Sequence, residues 1–80
     1  MKIQLLFFGI TTDLVGETSI FYELDSDETV LALKKKLLLK YPKLKNIEEF
    51  AIAVNEEYAE DDLVLKENDA VAIIPPVSGG

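Results

Sequence analysis

Two unbroken apolar runs stand near opposite ends of the sequence, Leu5-Leu6-Phe7-Phe8 and Val71-Ala72-Ile73-Ile74, with one clear helical pattern between them. Apolar residues at consecutive positions normally mark strands covered on both faces, yet one helix covers only one face of a sheet. The chain is 80 residues long, enough for one domain and one core. These facts restrict it to a small sheet with a helix on one side and a second side left over. Ile3, Leu5 and Phe7 share a parity and would lie under the helix, whereas Leu6, Phe8 and Ile74 would be left for water or for a partner. A partner surface is the preferred explanation. The alternative is that the segments Thr11–Gly16 or Glu60–Lys66 fold over that face.

The rest of the chain supplies the other elements. Lys2–Gly9 reads as a strand and Glu17–Leu24 as a second one after a turn region containing Gly9, Asp13 and Gly16, together a hairpin. Thr29 is a good N-cap, acidic Asp25, Asp27 and Glu28 precede it, and Pro42 stops the pattern, which predicts a helix from Val30 to Tyr41. Val30, Leu33, Leu37 and Tyr41 fall on one stripe facing the sheet. After a polar link with Asn46, Glu48 and Glu49, Phe50–Val54 reads as a short buried strand. Asn55-Glu56-Glu57 is a turn into a brief strand near Tyr58. Glu60–Asp69 is a loop anchored at Leu63 and Leu65, and Asn68-Asp69 turns into a last strand, Ala70–Pro75.

Composition excludes several functions. The chain has no histidine and no cysteine, so the commonest general base, the commonest metal ligand, the best nucleophile and any disulfide are missing. Catalysis by this chain alone is not expected, nor a bound cofactor or metal. The net charge is −7 and all eight basic residues are lysines, which argues against nucleic-acid binding. The apolar start breaks at Gly9, too early for a spanning helix, so no membrane role is expected and the cytoplasm is the default compartment. The run KKKLLLKYPKLK (Lys34–Lys45) is read as a solvated helix face rather than a docking patch, since Lys34, Lys35 and Lys36 fan out around the helix. Glu56, Glu57, Glu60, Asp61 and Asp62 lack the spacing of a calcium loop and read as a hydrated turn.

Four stretches carry a resemblance: LFFG (Leu6–Gly9), AVN (Ala53–Asn55), L-x-x-N-D-x-V (Leu65–Val71) and, most specifically, PPVSGG (Pro75–Gly80). They resemble the small, sulfur-carrying subunit of molybdopterin synthase, the MoaD family, over nearly the whole chain. Thr12-Asp13 stands where that family often has Arg-Glu, and Ile73-Ile74 where it often has Phe-Phe. The resemblance implies an α+β, ubiquitin-like β-grasp fold: a mixed sheet with first and last strands adjacent, one main helix on one face, a domain over residues 1–74 and an extended tail over 75–80. It implies that an ATP-dependent adenylyltransferase, similar to ubiquitin-activating enzymes, activates Gly80. A sulfur source then leaves a C-terminal thiocarboxylate that builds the dithiolene of molybdopterin. It also implies that Pro75, Pro76, Val77, Ser78 and Gly79 insert into the large subunit, that Phe8, Tyr58 and Ile74 make apolar contacts with it, and that the assembly is a heterotetramer.

The tail's residues suit that task. Six extended residues reach at most about 20 Å. Pro75-Pro76 favours a stiff extended segment, and Gly79-Gly80 offers a slim, unhindered carbonyl. Two other readings stay open: a different ubiquitin-like carrier, for thiamine or tRNA thiolation or for protein modification, and an interaction module with an inert tail.

Overall fold

The computed structural model describes residues 1–46 and 50–75. Glu48 and Glu49 of the polar link and the tail positions Pro76, Val77, Ser78, Gly79 and Gly80 lie outside the described residues. In chain order the elements are β1 (Lys2–Phe7), α1 (Ile10–Val15), β2 (Ser19–Glu23), α2 (Val30–Lys40), a 3₁₀ turn (Pro42–Asn46), β3 (Ala51–Val54), β4 (Glu57–Tyr58) and β5 (Ala70–Ile74). The strands form one mixed sheet in the order β2-β1-β5-β3-β4. First and last strands lie side by side and parallel, with Leu5 beside Val71 and Phe7 beside Ile73; the other pairings are antiparallel.

Burial follows strand parity. Ile3, Leu5 and Phe7 of β1, Val71 and Ile73 of β5 and Ile52 of β3 are buried against Val30, Leu33 and Leu37 of α2. Leu44 of the 3₁₀ turn fills the same core, a contribution that the lysine-rich sequence around it conceals. The Thr29 hydroxyl accepts from the Ala32 N–H at 3.2 Å and caps α2 as its sequence foretold. At the far end Tyr41 leaves the helical conformation because Pro42 follows it.

The hairpin and motif residues have local explanations. Asn55 and Glu56 both have positive φ, 51° and 73°, the two-residue turn that best matches strand twist between β3 and β4. Asn55 also ties that turn to β5: its Oδ1 accepts from the Ala70 N–H at 3.0 Å and its Nδ2 donates to Asp69 at 2.9 Å. In Leu65–Val71 the two leucine-like ends, Leu65 and Val71, are buried, Asn68 takes a φ of 69°, and the Asp69 carboxylate accepts from the Lys66 N–H at 2.8 Å. The segment is therefore a built turn feeding the central strand.

Two expectations need correction, and one alternative falls away. The turn region with Gly9, Asp13 and Gly16 contains a short helix, α1, closed by Gly16 at φ 85°. Its β-branched Ile10, Thr11, Thr12 and Val15 disfavour helix locally, and packing of Leu14 and Val15 on the core overrides that. Leu63 is 41% exposed, so Leu65 alone anchors the loop by its side chain. Leu63 and Asp61 contribute main chain instead: their carbonyls accept from the Val30 and Leu31 N–H groups at 3.0 Å, supplying acceptors that the first turn of α2 lacks. Both segments considered as covers for the open face thus pack elsewhere: α1 on the core side, and Glu60–Leu65 against the start of α2.

Candidate functional site

The uncovered face of the sheet holds a concavity of about 380 Å³ near the point where β5 hands over to the tail. Strand pairing explains how it forms. Leu6 lies beside Ala72, Ala72 beside Ala53, and Ala53 beside Tyr58, so one row of open-face positions runs from β1 through β5 and β3 to β4. The alanines make a low floor, and Phe8, Tyr58 and Ile74 stand around it. Phe8 is 50% exposed and Tyr58 77% exposed, a large unpartnered apolar area for so small a chain. Glu56 is the acidic residue at its rim.

The structure therefore places Phe8, Tyr58 and Ile74 around one concavity, with Pro75 immediately beyond it. The alanine floor was not foreseen, although Ala53, Ala70 and Ala72, on open-face positions of adjacent strands, were the available signal.

A buried latch lies beside the base of the tail. Thr11 is fully buried. Its Oγ1 accepts from the Phe8 N–H at 2.9 Å, donates to the Phe8 carbonyl at 2.5 Å, and has the Ile73 carbonyl at 3.4 Å. Its one proton goes to Phe8, so the side chain fixes the turn out of β1, and the end of β5 packs against it. Beside it Gly9 adopts φ 54°, and a Cβ there would stand 3.1 Å from Cγ of Pro75. No sequence signal distinguished Thr11 from an ordinary loop threonine.

The shifted ionisable groups lie on the helix side, away from the concavity. Lys36 is held above its ordinary pKa of 10.5, chiefly by its hydrogen bond to Glu28, with the charges of Glu28 and Asp25 acting the same way. Burial, and then the negative charge of Glu17, raises Tyr41 above its usual 10.0. The basic run behaves as a solvated face, with Lys34 bound to Asp61 at 2.9 Å and Lys40 over the ring of Tyr22. Tyr58 and Glu56 are the titratable groups lining the concavity, whose chemistry is apolar recognition.

No helix among the described residues is long and apolar enough to cross a membrane. Comparison with known proteins completes the picture. The model of the ThiS family matches residues 5–80. The molybdopterin synthase sulfur carrier subunit of Dictyostelium discoideum is 40% identical over 83 residues, covering 99% of this chain and 96% of that protein. Among solved structures, SAMP1 from Haloferax volcanii superposes with a TM-score of 0.86 at 22% identity over the full length of both chains, which speaks for the ubiquitin-like fold alone. A complex of subunits 1 and 2 of the molybdopterin-converting factor from Helicobacter pylori superposes with a TM-score of 0.70 at 28% identity, again over all of both chains. The chain thus belongs to the ThiS family, as a sulfur carrier of the MoaD type.

Proposed function

We propose that this chain is the sulfur-carrying small subunit of a molybdopterin synthase. The observation that carries the reading is that the family match runs through Gly80 while the apolar concavity lies where the tail leaves the sheet. Phe8, Tyr58 and Ile74 dock on the large subunit, as the two-subunit Helicobacter pylori complex suggests by likeness. Pro75 to Gly79 then thread into that subunit's active site.

The chemistry belongs to the terminal carboxylate of Gly80. An adenylyltransferase of the ubiquitin-activating type uses ATP to form the acyl adenylate, releasing pyrophosphate and making AMP the leaving group. A donor of sulfide-level sulfur attacks the acyl carbon, the new C–S bond forming as the C–O bond to AMP breaks, and leaves a thiocarboxylate, whose sulfur is a stronger nucleophile at neutral pH than a carboxylate oxygen. That sulfur passes to the pterin precursor, and the acyl group returns to a carboxylate by hydrolysis. The acid, base and oxyanion-stabilising groups come from the large subunit, in keeping with a carrier that has neither His nor Cys. Each dithiolene takes two sulfurs, which suits a heterotetramer working in the cytoplasm.

Mass spectrometry of protein from its native host tests the reading. A fraction heavier by about 16 Da, sulfur in place of oxygen at the terminus, is expected. Deleting Gly80 should remove that species and abolish sulfur transfer while leaving large-subunit binding nearly intact. A tail that never gains the mass would overturn the proposal.

A further inference from the structure

The two edges of the sheet are managed differently. β4 has two residues, Glu57 and Tyr58, and follows Glu56, short and charged as protected edges are. β2 has five residues, Ser-Ile-Phe-Tyr-Glu, without proline or lysine. Its hydrogen-bonding phase follows from its ends. The Leu24 N–H donates to the Met1 carbonyl at 2.7 Å and the Phe7 N–H to the Thr18 carbonyl at 2.9 Å. Antiparallel alternation then bonds Tyr22 and Ile20 inward to β1 and turns the main chain of Ser19, Phe21 and Glu23 outward. Among the described residues no main-chain group pairs with those three. Phe21 is 71% exposed on the same open face, with Lys2 Nζ 5.3 Å from its ring centroid.

The geometry points to a weak two-fold dimer in which β2 pairs antiparallel with β2 of a second copy, centred on Phe21. That register sets Phe21 opposite Phe21 and Ser19 opposite Glu23 on the open side, and Ile20 opposite Tyr22 on the helix side. An aromatic pair, hydroxyl–carboxylate pairs and apolar pairs result, all favourable across strands. Moving the axis one residue in either direction keeps the hydrogen-bonding phase but sets Glu17 against Glu23, or Phe21 against Glu23. The strand is thus complementary to itself in one register, which selects a second copy over an arbitrary extended peptide. Because β1 separates β2 from β5, the concavity around Ala72 stays open in the dimer.

Five residues a side bury far less than the ~1,000 Å² of stable complexes, so the dissociation constant lies at high micromolar or above. Each copy carries −7, so added salt should tighten the dimer rather than loosen it. The test is sedimentation velocity together with amide chemical-shift dilution on the full chain. Concentration-dependent shifts are expected at Ser19, Phe21 and Glu23. Phe21→Glu, which puts two carboxylates on the axis at an exposed site, should sediment as a monomer throughout. Ser19→Lys should tighten the dimer about two- to ten-fold by facing Glu23 of the second copy, and Ser19→Glu should weaken it by a similar factor. Circular dichroism separates these effects from unfolding. Monomeric sedimentation to millimolar concentration, dilution shifts confined to Phe8 and Tyr58, or Ser19→Lys and Ser19→Glu acting alike would overturn the inference.

Discussion

Cγ of Pro75 lies 3.1 Å from the point where a Cβ on Gly9 would stand, so the first residue of the tail rests on the residue directly after Phe8, which has no side chain. Gly9 also holds φ 54° and ψ −135°, a combination that L side chains rarely adopt. Gly9→Ala should cost about 1–2 kcal/mol of stability, read from urea unfolding. It should also weaken large-subunit binding, because the proline is pushed off its seat. An alanine variant that binds as well as the parent would show that the tail's starting direction is set elsewhere.

Thr11 acts two residues further on. Thr11→Val keeps the volume but removes the acceptor of the Phe8 N–H and the donor to the Phe8 carbonyl, which should cost about 1–3 kcal/mol. Thr11→Ser keeps both bonds and should recover most of that loss. Equal unfolding midpoints for the valine and serine variants would remove the latch from the account.

The exposed aromatics should separate binding from folding. Phe8→Ala and Tyr58→Ala change surface positions and should each shift unfolding by no more than about 1 kcal/mol. At the centre of an interface each would weaken large-subunit affinity by about 2 kcal/mol, roughly thirty-fold. Calorimetric titration of the two subunits measures this directly.

The helix-side groups make stability fall in alkali. Lys36 and Tyr41 both have folded pKa values above their ordinary 10.5 and 10.0, so between unfolded and folded values the native state holds more protons than the unfolded one. Their contributions are complete below about pH 10 and are lost as pH rises through the folded values. Lys36→Met should flatten part of that alkaline slope, and high salt should do the same because the pair with Glu28 is partly exposed at the lysine. Urea titrations at pH 8 to about 12 would reveal it.

Leu44 tests the concealed part of the core. Fully buried, it should cost about 2–5 kcal/mol when changed to alanine, as much as Leu33 or Leu37 of the foreseen stripe.

The features readable beforehand were those with a local cause. Thr29 before a stripe of Val30, Leu33 and Leu37, with Pro42 after it, bounds α2 through cap and proline sterics alone. The parity of Leu5–Phe8 against a single helix foretold the open face, and Asn55 and Asn68 marked turns that need positive φ. What escaped depends on distant contacts. The residues of α1 resist helix in isolation and accept it when Leu14 and Val15 reach the core. Leu44 looks like one apolar residue among lysines until the 3₁₀ turn points it inward. Leu63 and Leu65 share a parity and are indistinguishable in sequence, and only the assembled core separates them, burying Leu65 and leaving Leu63 exposed.

β5 is flanked on one side by parallel β1 and on the other by antiparallel β3. Tension applied to the chain beyond Ile74 along the strand axis therefore loads two ladders in shear, and several hydrogen bonds must yield together instead of peeling one after another. A pull on that end can therefore leave the domain's shape intact.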